Sequence, residues 1–206
     1  MTLAKELLGF LPTKGKVARV KSLSVAGLIL LVVVGCSKDS KLASRSAGAD
    51  GLIGMRLTST AFQNGGMIPK DYTADGKDMS PALNWGEVPN HTKSIVLIVE
   101  DPNSSGKLPF VHWIVYGIPP EQTGLPEGAS SVIGKQSKLM EGKNSKGLTG
   151  YVGPEPEPGK PHRYVFQVFS LDIPLQFASP PNKDQVVEAM KHHVLMQGEL
   201  TGLYQR

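Results

Sequence analysis

Three long apolar segments dominate the hydrophobic pattern of the chain, and each has the character of a buried β-strand. Residues 94–100 form an uninterrupted apolar, β-branched run between turn-forming residues, which predicts a central strand covered on both faces. Residues 110–118 form a second such run that stops at a Pro-Pro pair, and residues 163–171 form a third. Weaker strand patterns lie at residues 55–59 and 200–204. The pattern therefore predicts a sheet built around three long strands.

One C-terminal segment has the apolar spacing of an amphipathic helix. Asn182 is a favourable N-cap, and Gln185 lies three residues later, as in a capping box. The apolar stripe of this segment comprises Val186, Met190 and Val194. Because glycine commonly terminates helices, we expect this helix to end at Gly198.

The segment between the second and third long strands is predicted to be a system of loops. More than forty residues lie between Gly117 and His162, rich in Gly, Pro and Ser and without sustained periodicity. An irregular segment of this length in a compact domain is usually functional. Several dominant strands with few helices indicate a mainly β, α+β fold. We expect an antiparallel β-sandwich with a few peripheral helices, one of them C-terminal.

The first 35 residues have the form of a bacterial secretion signal. Five Lys or Arg residues precede an apolar run at residues 25–34, which is shorter than the roughly 20 apolar residues of a membrane span. Gly35 directly precedes Cys36, the only cysteine, and residues 33–36 resemble a lipobox. We expect cleavage before Cys36 and attachment of lipid to its sulfur. The protein would then be lipid-anchored in the bacterial cell envelope, on its extracytoplasmic side.

Removal of this leader changes both the domain organisation and the charge. Residues 36–54 are rich in Ser, Lys, Ala and Gly, which predicts a flexible tether, and residues 55–206 are long enough for one folded domain. The whole chain has 22 basic and 18 acidic residues, of which the leader holds five and one. The remainder has 17 of each and is formally neutral, so we expect no nucleic-acid partner.

Polar residues at the ends of the first two long strands are predicted to meet. Asp101 closes the first strand, and the second strand carries His112 near its start. Alternation along this strand predicts that His112 shares a face with Ile114, opposite Trp113. If the two strands pair as an antiparallel hairpin through residues 102–109, Asp101 and His112 lie at the same end of the sheet.

The third long strand begins with a further histidine. His162 and Tyr164 point to one face of this strand, whereas Arg163 points to the other. If this strand begins at the end of the sheet that holds Asp101 and His112, the four side chains surround one pocket. Arg163 is then expected to brace the sheet or a loop through a carboxylate rather than to contact a ligand.

Three kinds of chemistry are compatible with Asp101, His112, His162 and Tyr164. Two imidazoles and a phenol can donate hydrogen bonds to a phosphate or carboxylate, with Asp101 fixing one imidazole tautomer. Two histidines and a carboxylate can also bind a divalent metal and assist hydrolysis. The third alternative is that each histidine is only hydrogen-bonded at a sheet edge. The pattern of residues leaves all three open.

Motifs of several enzyme classes are absent from the sequence. It contains no G-x-S-x-G elbow, no H-E-x-x-H, no C-x-x-C and no phosphate-binding P-loop. We therefore assign no catalytic residue, no metal ligand and no cofactor.

An ordered set of short motifs resembles one known family. These motifs are D-M-S-P-A-L-N-W at residues 78–85, E-D-P-N-S-S at 100–105, V-H-W at 111–113, G-Y-V-G-P at 150–154 and H-R-Y at 162–164. Together they resemble the phosphatidylethanolamine-binding protein family, and the last 18 residues resemble its bacterial branch, often labelled Raf-kinase-inhibitor-like. The resemblance covers practically the whole predicted domain.

The resemblance implies a β-sandwich-like fold with a small cavity that accepts phosphate or phospholipid headgroups. Asp101, His112, His162 and Tyr164 match motif positions of that cavity, and Gly153 and Pro154 would line its rim. Two departures from the family pattern lie nearby. The usual Asp-Pro-Asp-x-Pro appears here as Asp-Pro-Asn-Ser-Ser at residues 101–105, and the rim adds two acids, at residues 155 and 157.

The expected function is that of a non-catalytic envelope lipoprotein. It would bind a small anionic or phosphate-bearing ligand, such as a phospholipid headgroup, and modulate a partner protein. One alternative is a metal-assisted hydrolase that uses the same His and Asp side chains. Another is an inhibitor of a kinase or protease that acts through surface loops.

Overall fold

The computed structural model describes residues 53–132 and 140–206. The predicted leader, Cys36 and most of the tether lie outside these residues. In chain order, the elements are β1 (Ile53–Gly54), β2 (Leu57–Thr58), a 3-10 helix (Lys70–Tyr72), β3 (Leu83–Trp85), β4 (Ser94–Asp101), β5 (Phe110–Ile118), β6 (Gly124–Leu125), α1 (Ala129–Val132), β7 (Met140–Glu141), β8 (His162–Leu171), α2 (Lys183–Met190) and β9 (Val194–Tyr204).

The described strands form two sheets. The larger has the order β1-β9-β8-β4-β5-β7, and the smaller has the order β2-β3-β6. Neighbouring strands are antiparallel except for β1 and β9. The three long predicted strands are β4, β5 and β8, with β4 in the centre, and β4 and β5 form the expected hairpin. The predicted mainly β, antiparallel architecture is confirmed.

Both faces of the larger sheet are covered, which explains the uninterrupted apolar run of β4. On one face, the larger sheet packs against the smaller sheet in what we call the first core, which includes Ile95, Leu97 and Val99. On the opposite face, Val96 and Ile98 join the second core, to which α2 contributes. All five side chains are at most 1% exposed. Burial of each such side chain contributes roughly 1.5–3 kcal/mol to stability.

The C-terminal helix begins as predicted but is shorter. The Asn182 side chain accepts a hydrogen bond from the Gln185 N–H, and the Gln185 side chain accepts one from the Asn182 N–H, which confirms the capping box. The helix ends at Met190, however, and His192 adopts a left-handed φ of 66°. The prediction that Val194 lies on the helical stripe is therefore wrong, because Val194 begins β9.

Strand pairing explains this difference. β9 pairs with β8 along nearly its whole length, from Val194 opposite Leu171 to Tyr204 opposite His162. The hydrogen bonds and burial of this ladder outweigh the weak intrinsic preference of a short segment for helix. Gly198 consequently lies within β9 and does not end the helix. Within the described ranges, no helix has the length and apolar character required to cross a bilayer.

Candidate functional site

A β-bulge in β5 determines where His112 lies. Val99 of β4 pairs with Trp113, but the next β4 residue, Glu100, pairs with Val111. His112 is therefore an extra residue without its own partner on β4. Such bulges bend the strand and change the direction of a side chain, and they are common near functional sites.

The bulge places His112 on the opposite face from the one that strand alternation predicts. Ile114 packs in the second core, beside α2. The His112 ring instead contacts Tyr164, a residue of the first core, with ring centroids 5.1 Å apart. Phe110 packs against the His112 ring, with centroids 4.8 Å apart. The prediction that His112 shares the face of Ile114 is wrong, because the extra residue shifts the alternation.

Asp101 and His162 form a hydrogen-bonded pair at the ends of β4 and β8. His162 Nδ1 donates to Asp101 Oδ2 at 2.7 Å, and the backbone N–H of Asn103 donates to Asp101 Oδ1 at 2.7 Å. A carboxylate can only accept, so Nδ1 carries the hydrogen and Nε2 lies on the opposite edge of the ring. The side chains are 5% exposed for Asp101 and 21% for His162. This pair is therefore largely shielded from solvent.

His112 is also fixed in one tautomer, but by a neutral partner. Its Nδ1 donates to the Val152 carbonyl oxygen at 2.6 Å, and the Val152 N–H donates back to the His112 carbonyl oxygen at 3.1 Å. Burial lowers the pKa of His112 below its usual value. At neutral pH, its Nε2 is therefore a hydrogen-bond acceptor. The expectation that both imidazoles donate to a ligand is therefore wrong for His112, which accepts instead.

Tyr164 presents a buried hydroxyl without a protein partner. Its side chain is 1% exposed, and its Oη has no hydrogen-bond partner within the described residues. Burial raises the pKa of Tyr164, so the phenol keeps its proton and can donate. An unpartnered buried hydroxyl normally costs stability. Its presence beside His112 is consistent with a ligand-binding role.

The wall of the site is built by the segment that follows Tyr151. The Gly153 N–H donates to Asp78 Oδ1 at 2.6 Å, and a Cβ on Gly153 would lie only 2.7 Å from Thr73 Cα. Asp78 has a φ of 53°, an uncommon conformation for a residue with a side chain. Glycine is therefore required at position 153 because Asp78 and Thr73 approach so closely.

Pro154 does not line the rim as predicted. Its carbonyl oxygen accepts a hydrogen bond from the Ala74 N–H at 3.1 Å, and the residue is buried and absent from the cavity lining. Pro156, two residues later, lines the cavity instead.

These side chains surround one cavity of about 260 Å³. It is lined by Asp101, Asn103, Ser104, Ser105, Phe110, His112, Lys146, Val152, Gly153, Glu155, Pro156, Glu157, His162 and Tyr164. The volume lies slightly below the roughly 300–1,000 Å³ of pockets that accept drug-sized molecules. The cavity is therefore suited to a small molecule or to the head of a larger one.

Glu155 and Glu157, the two acids at the cavity mouth, differ in their ion pairs. Lys146 Nζ donates to Glu155 Oε2 at 3.1 Å, and the Arg206 guanidinium lies 3.4 Å from Glu155 Oε1. The Lys146 hydrogen bond lowers the pKa of Glu155. Glu155 therefore pairs with Lys146 and lies near Arg206, whose guanidinium binds mainly to Asp75. Among the described residues, Glu157 forms no ion pair.

Arg163 points away from the cavity, as strand alternation predicts, but makes a different contact. Its backbone N–H donates to Asn103 Oδ1 at 3.0 Å. Its side chain is exposed and, in the described part of the chain, pairs with no carboxylate. The expectation of a carboxylate brace is therefore wrong, and Asn103 holds the start of β8 through its side-chain amide.

The metal alternative has no ligand set in the described residues. Nowhere in residues 53–132 and 140–206 do three or more His, Cys, Asp or Glu side chains gather closely enough to hold a metal ion. Asp101 and His162 are adjacent, but His112 directs its Nδ1 to the Val152 carbonyl. In this part of the chain, the Asp and His side chains of the cavity therefore provide hydrogen-bonding groups and not a set of metal ligands.

Sequence patterns did not reveal several lining residues. Lys146 and Val152 lie in the long loop system, where no strand or helix periodicity indicates which side chains turn inward. The sequence pattern around Phe110 is that of an ordinary strand residue and gives no sign of a place in the cavity. Only contacts between distant segments bring these residues to the cavity.

Comparison with known proteins identifies the family. The family described as phosphatidylethanolamine-binding protein matches residues 58–205. A UPF0098 protein from Methanothermobacter thermautotrophicus is 41% identical over 152 residues, covering 74% of this chain and 99% of that protein. A UPF0098 protein from Chlamydia trachomatis is 40% identical, with the same coverage.

Solved structures of similar proteins support the same family assignment. A putative phosphatidylethanolamine-binding protein homologue from Chlamydia trachomatis gives a TM-score of 0.67 at 39% identity, covering 74% of this chain and 98% of that one. Escherichia coli YbcL, described as a new member of the mammalian family, gives 0.69 at 26% identity, covering 75% and 99%. The chain belongs to the phosphatidylethanolamine-binding protein family.

Proposed function

We propose that this protein is a non-catalytic binding protein whose cavity takes a small phosphate-bearing anion, such as a phospholipid headgroup. The observation that carries this proposal is the buried, unpartnered hydroxyl of Tyr164 in a cavity that also presents His162. Family membership supports ligand binding. In this role, ligand binding controls how the protein modulates a partner protein.

The polar groups of the cavity have complementary roles toward a phosphate. Tyr164 donates through its hydroxyl, and Lys146 lines the same cavity, where its ammonium is paired with Glu155. Neutral His112 accepts through Nε2, so it favours an anion that carries a proton or a hydroxyl group. Because Glu155 is already paired with Lys146, its charge opposes an incoming anion less than the sequence suggests.

Tyr164→Phe separates ligand binding from stability. The variant removes only the hydroxyl, so we expect phosphate affinity to fall by about ten- to a hundredfold, the loss of one hydrogen bond to a charged group. The free energy of unfolding should stay the same or rise slightly, because the hydroxyl has no protein partner in the described residues. Titration calorimetry with inorganic phosphate and with glycerophosphoethanolamine measures the first effect, and urea unfolding measures the second.

Comparison of the two ligands distinguishes a free anion from a headgroup. A headgroup site binds glycerophosphoethanolamine more tightly than phosphate, whereas a phosphate site does the reverse. His162→Ala should weaken both ligands in either case. Heats that are identical for wild type, Tyr164→Phe and His162→Ala would remove the cavity from the proposed function.

The proposal includes a lipid anchor at Cys36 in the bacterial cell envelope, in a member of the Raf-kinase-inhibitor-like branch. Its support is the leader pattern of residues 1–35. Several buried acyl chains at about 0.8 kcal/mol per methylene would give stable attachment. In bacteria fed labelled palmitate, the wild-type protein should carry label and fractionate with membranes, whereas Cys36→Ser should do neither. Label on Cys36→Ser, or unchanged fractionation, would contradict the anchor.

A further inference from the structure

The described residues contain two Asp–His pairs with the same hydrogen bond but different surroundings. His162 Nδ1 lies 2.7 Å from Asp101 Oδ2, and His193 Nδ1 lies 2.8 Å from Asp172 Oδ1. The side chains of the second pair are 40% and 42% exposed, against 21% and 5% for the first. Only the first pair lines the 260 Å³ cavity. The two pairs therefore form a natural comparison between a shielded and a solvated site.

The hydrogen bond to Asp101 prepares the other ring nitrogen of His162 for reaction. Because Nδ1 holds the hydrogen, Nε2 of the neutral ring carries a lone pair. Nε2 has no hydrogen-bond partner among the described residues, and His162 lines the cavity. A nucleophile oriented by a neighbouring group is the usual arrangement for covalent transfer. Shielding from water strengthens the interaction of Asp101 with any positive charge that develops on the ring.

We propose that His162 accepts a phosphoryl group on Nε2 from a small acyl phosphate that enters the cavity. The Nε2 lone pair forms a bond to phosphorus while the bond between phosphorus and the acyl oxygen breaks. The carboxylate leaves with that electron pair. Nδ1 keeps its hydrogen, so the ring becomes a cation and no proton has to leave. The Asp101 carboxylate lies directly against the new positive charge.

The cavity also provides contacts for the transferred group. Phosphoryl transfer depends mainly on positioning and on stabilisation of charge at the phosphoryl oxygens. Tyr164, whose buried hydroxyl has no partner among the described residues, and Lys146 line the same cavity as His162. The small volume favours a compact donor over a nucleotide. This step goes beyond reversible binding, but it rests on the proposed anion cavity.

The test uses the full chain and acetyl phosphate as the donor. We expect the intact mass to rise by one phosphoryl group, with a 31P NMR signal of phosphohistidine that disappears in acid. Peptide mapping should place the group on His162. Asp101→Asn should react about ten- to a hundredfold more slowly, the effect of losing a charged hydrogen-bond partner. His162→Gln should not react.

His193→Gln is the matched control. It removes the exposed imidazole that has the same carboxylate contact but no cavity, so the rate should equal that of wild type. Modification of His193 to the same extent as His162, or an unchanged rate in Asp101→Asn, would overturn the proposal. Absence of phosphohistidine in a protein that still binds phosphate would overturn this step alone. Absence of both would overturn the proposed function as well.

Discussion

Lys183→Met is expected to lower the free energy of unfolding by about 3–5 kcal/mol, the cost of leaving one charge of a buried ion pair without its partner. Lys183, the first residue of α2, pairs with Glu100 of β4. The side chains are only 11% and 2% exposed. Methionine fills a similar volume, so the effect reports the charge. Urea unfolding measures it directly.

Two further variants test this explanation. Replacement of both partners, as Glu100→Met with Lys183→Met, should recover most of the lost stability, because an apolar pair of similar volume often replaces a buried ion pair without cost. Lys77→Met removes a partner of Asp71 from an exposed pair whose side chains are 66% and 51% accessible, and should change stability far less. Equal losses in Lys183→Met and Lys77→Met would show that burial is not the cause.

Gly153→Ala is expected to destabilise the protein by about 3 kcal/mol, the upper end of the range for overpacking. The new Cβ would lie 2.7 Å from both Asp78 Oδ1 and Thr73 Cα. Thr73 is fully buried, so its backbone has little room to move. Any displacement also shifts Val152, whose carbonyl fixes His112. Phosphate affinity should therefore fall in the folded protein, by at least about tenfold if the His112 hydrogen bond is lost.

Gly86→Ala is the matched control for this variant. No atom lies within 4 Å of a Cβ built at Gly86. A glycine replaced where space and backbone allow it changes stability little, or raises it by up to about 1 kcal/mol. If Gly153→Ala unfolds at the same urea concentration as Gly86→Ala, the close approach of Asp78 and Thr73 does not constrain the wall.

The long strands could be predicted because their signal is local. Residues 95–99 of β4 are all apolar, and this follows from the place of β4 between two cores. The pairing of Asp101 with Phe110 follows from a short hairpin loop. The closeness of Asp101 and His162, by contrast, needs the pairing of β4 with β8, which the strand patterns alone did not determine. Residues near in sequence therefore determine the long strands and their hairpin.

Other features depend on contacts that no local pattern contains. Val194 fits a helical stripe, but pairing with β8 places it in β9. Lys146 lines the cavity only because its loop packs against β5, where the Ser145 N–H donates to the Val111 carbonyl at 2.9 Å. The direction of His112 depends on a bulge, which is a property of two strands together. Tertiary pairing therefore decided each of these outcomes.

The bulge at His112 also makes the site sensitive to chain length in a way that the sheet is not. Deletion of Val111 would remove this bulge and restore one-to-one pairing of β5 with β4 from Leu97 to Asp101. With strict alternation restored, the His112 imidazole would lie on the face of the sheet that packs against α2, away from Tyr164 and Asp101. A relative with one residue fewer at this point would keep the sandwich and lose the pocket, so the length of this strand is a better guide to shared ligand binding than overall likeness.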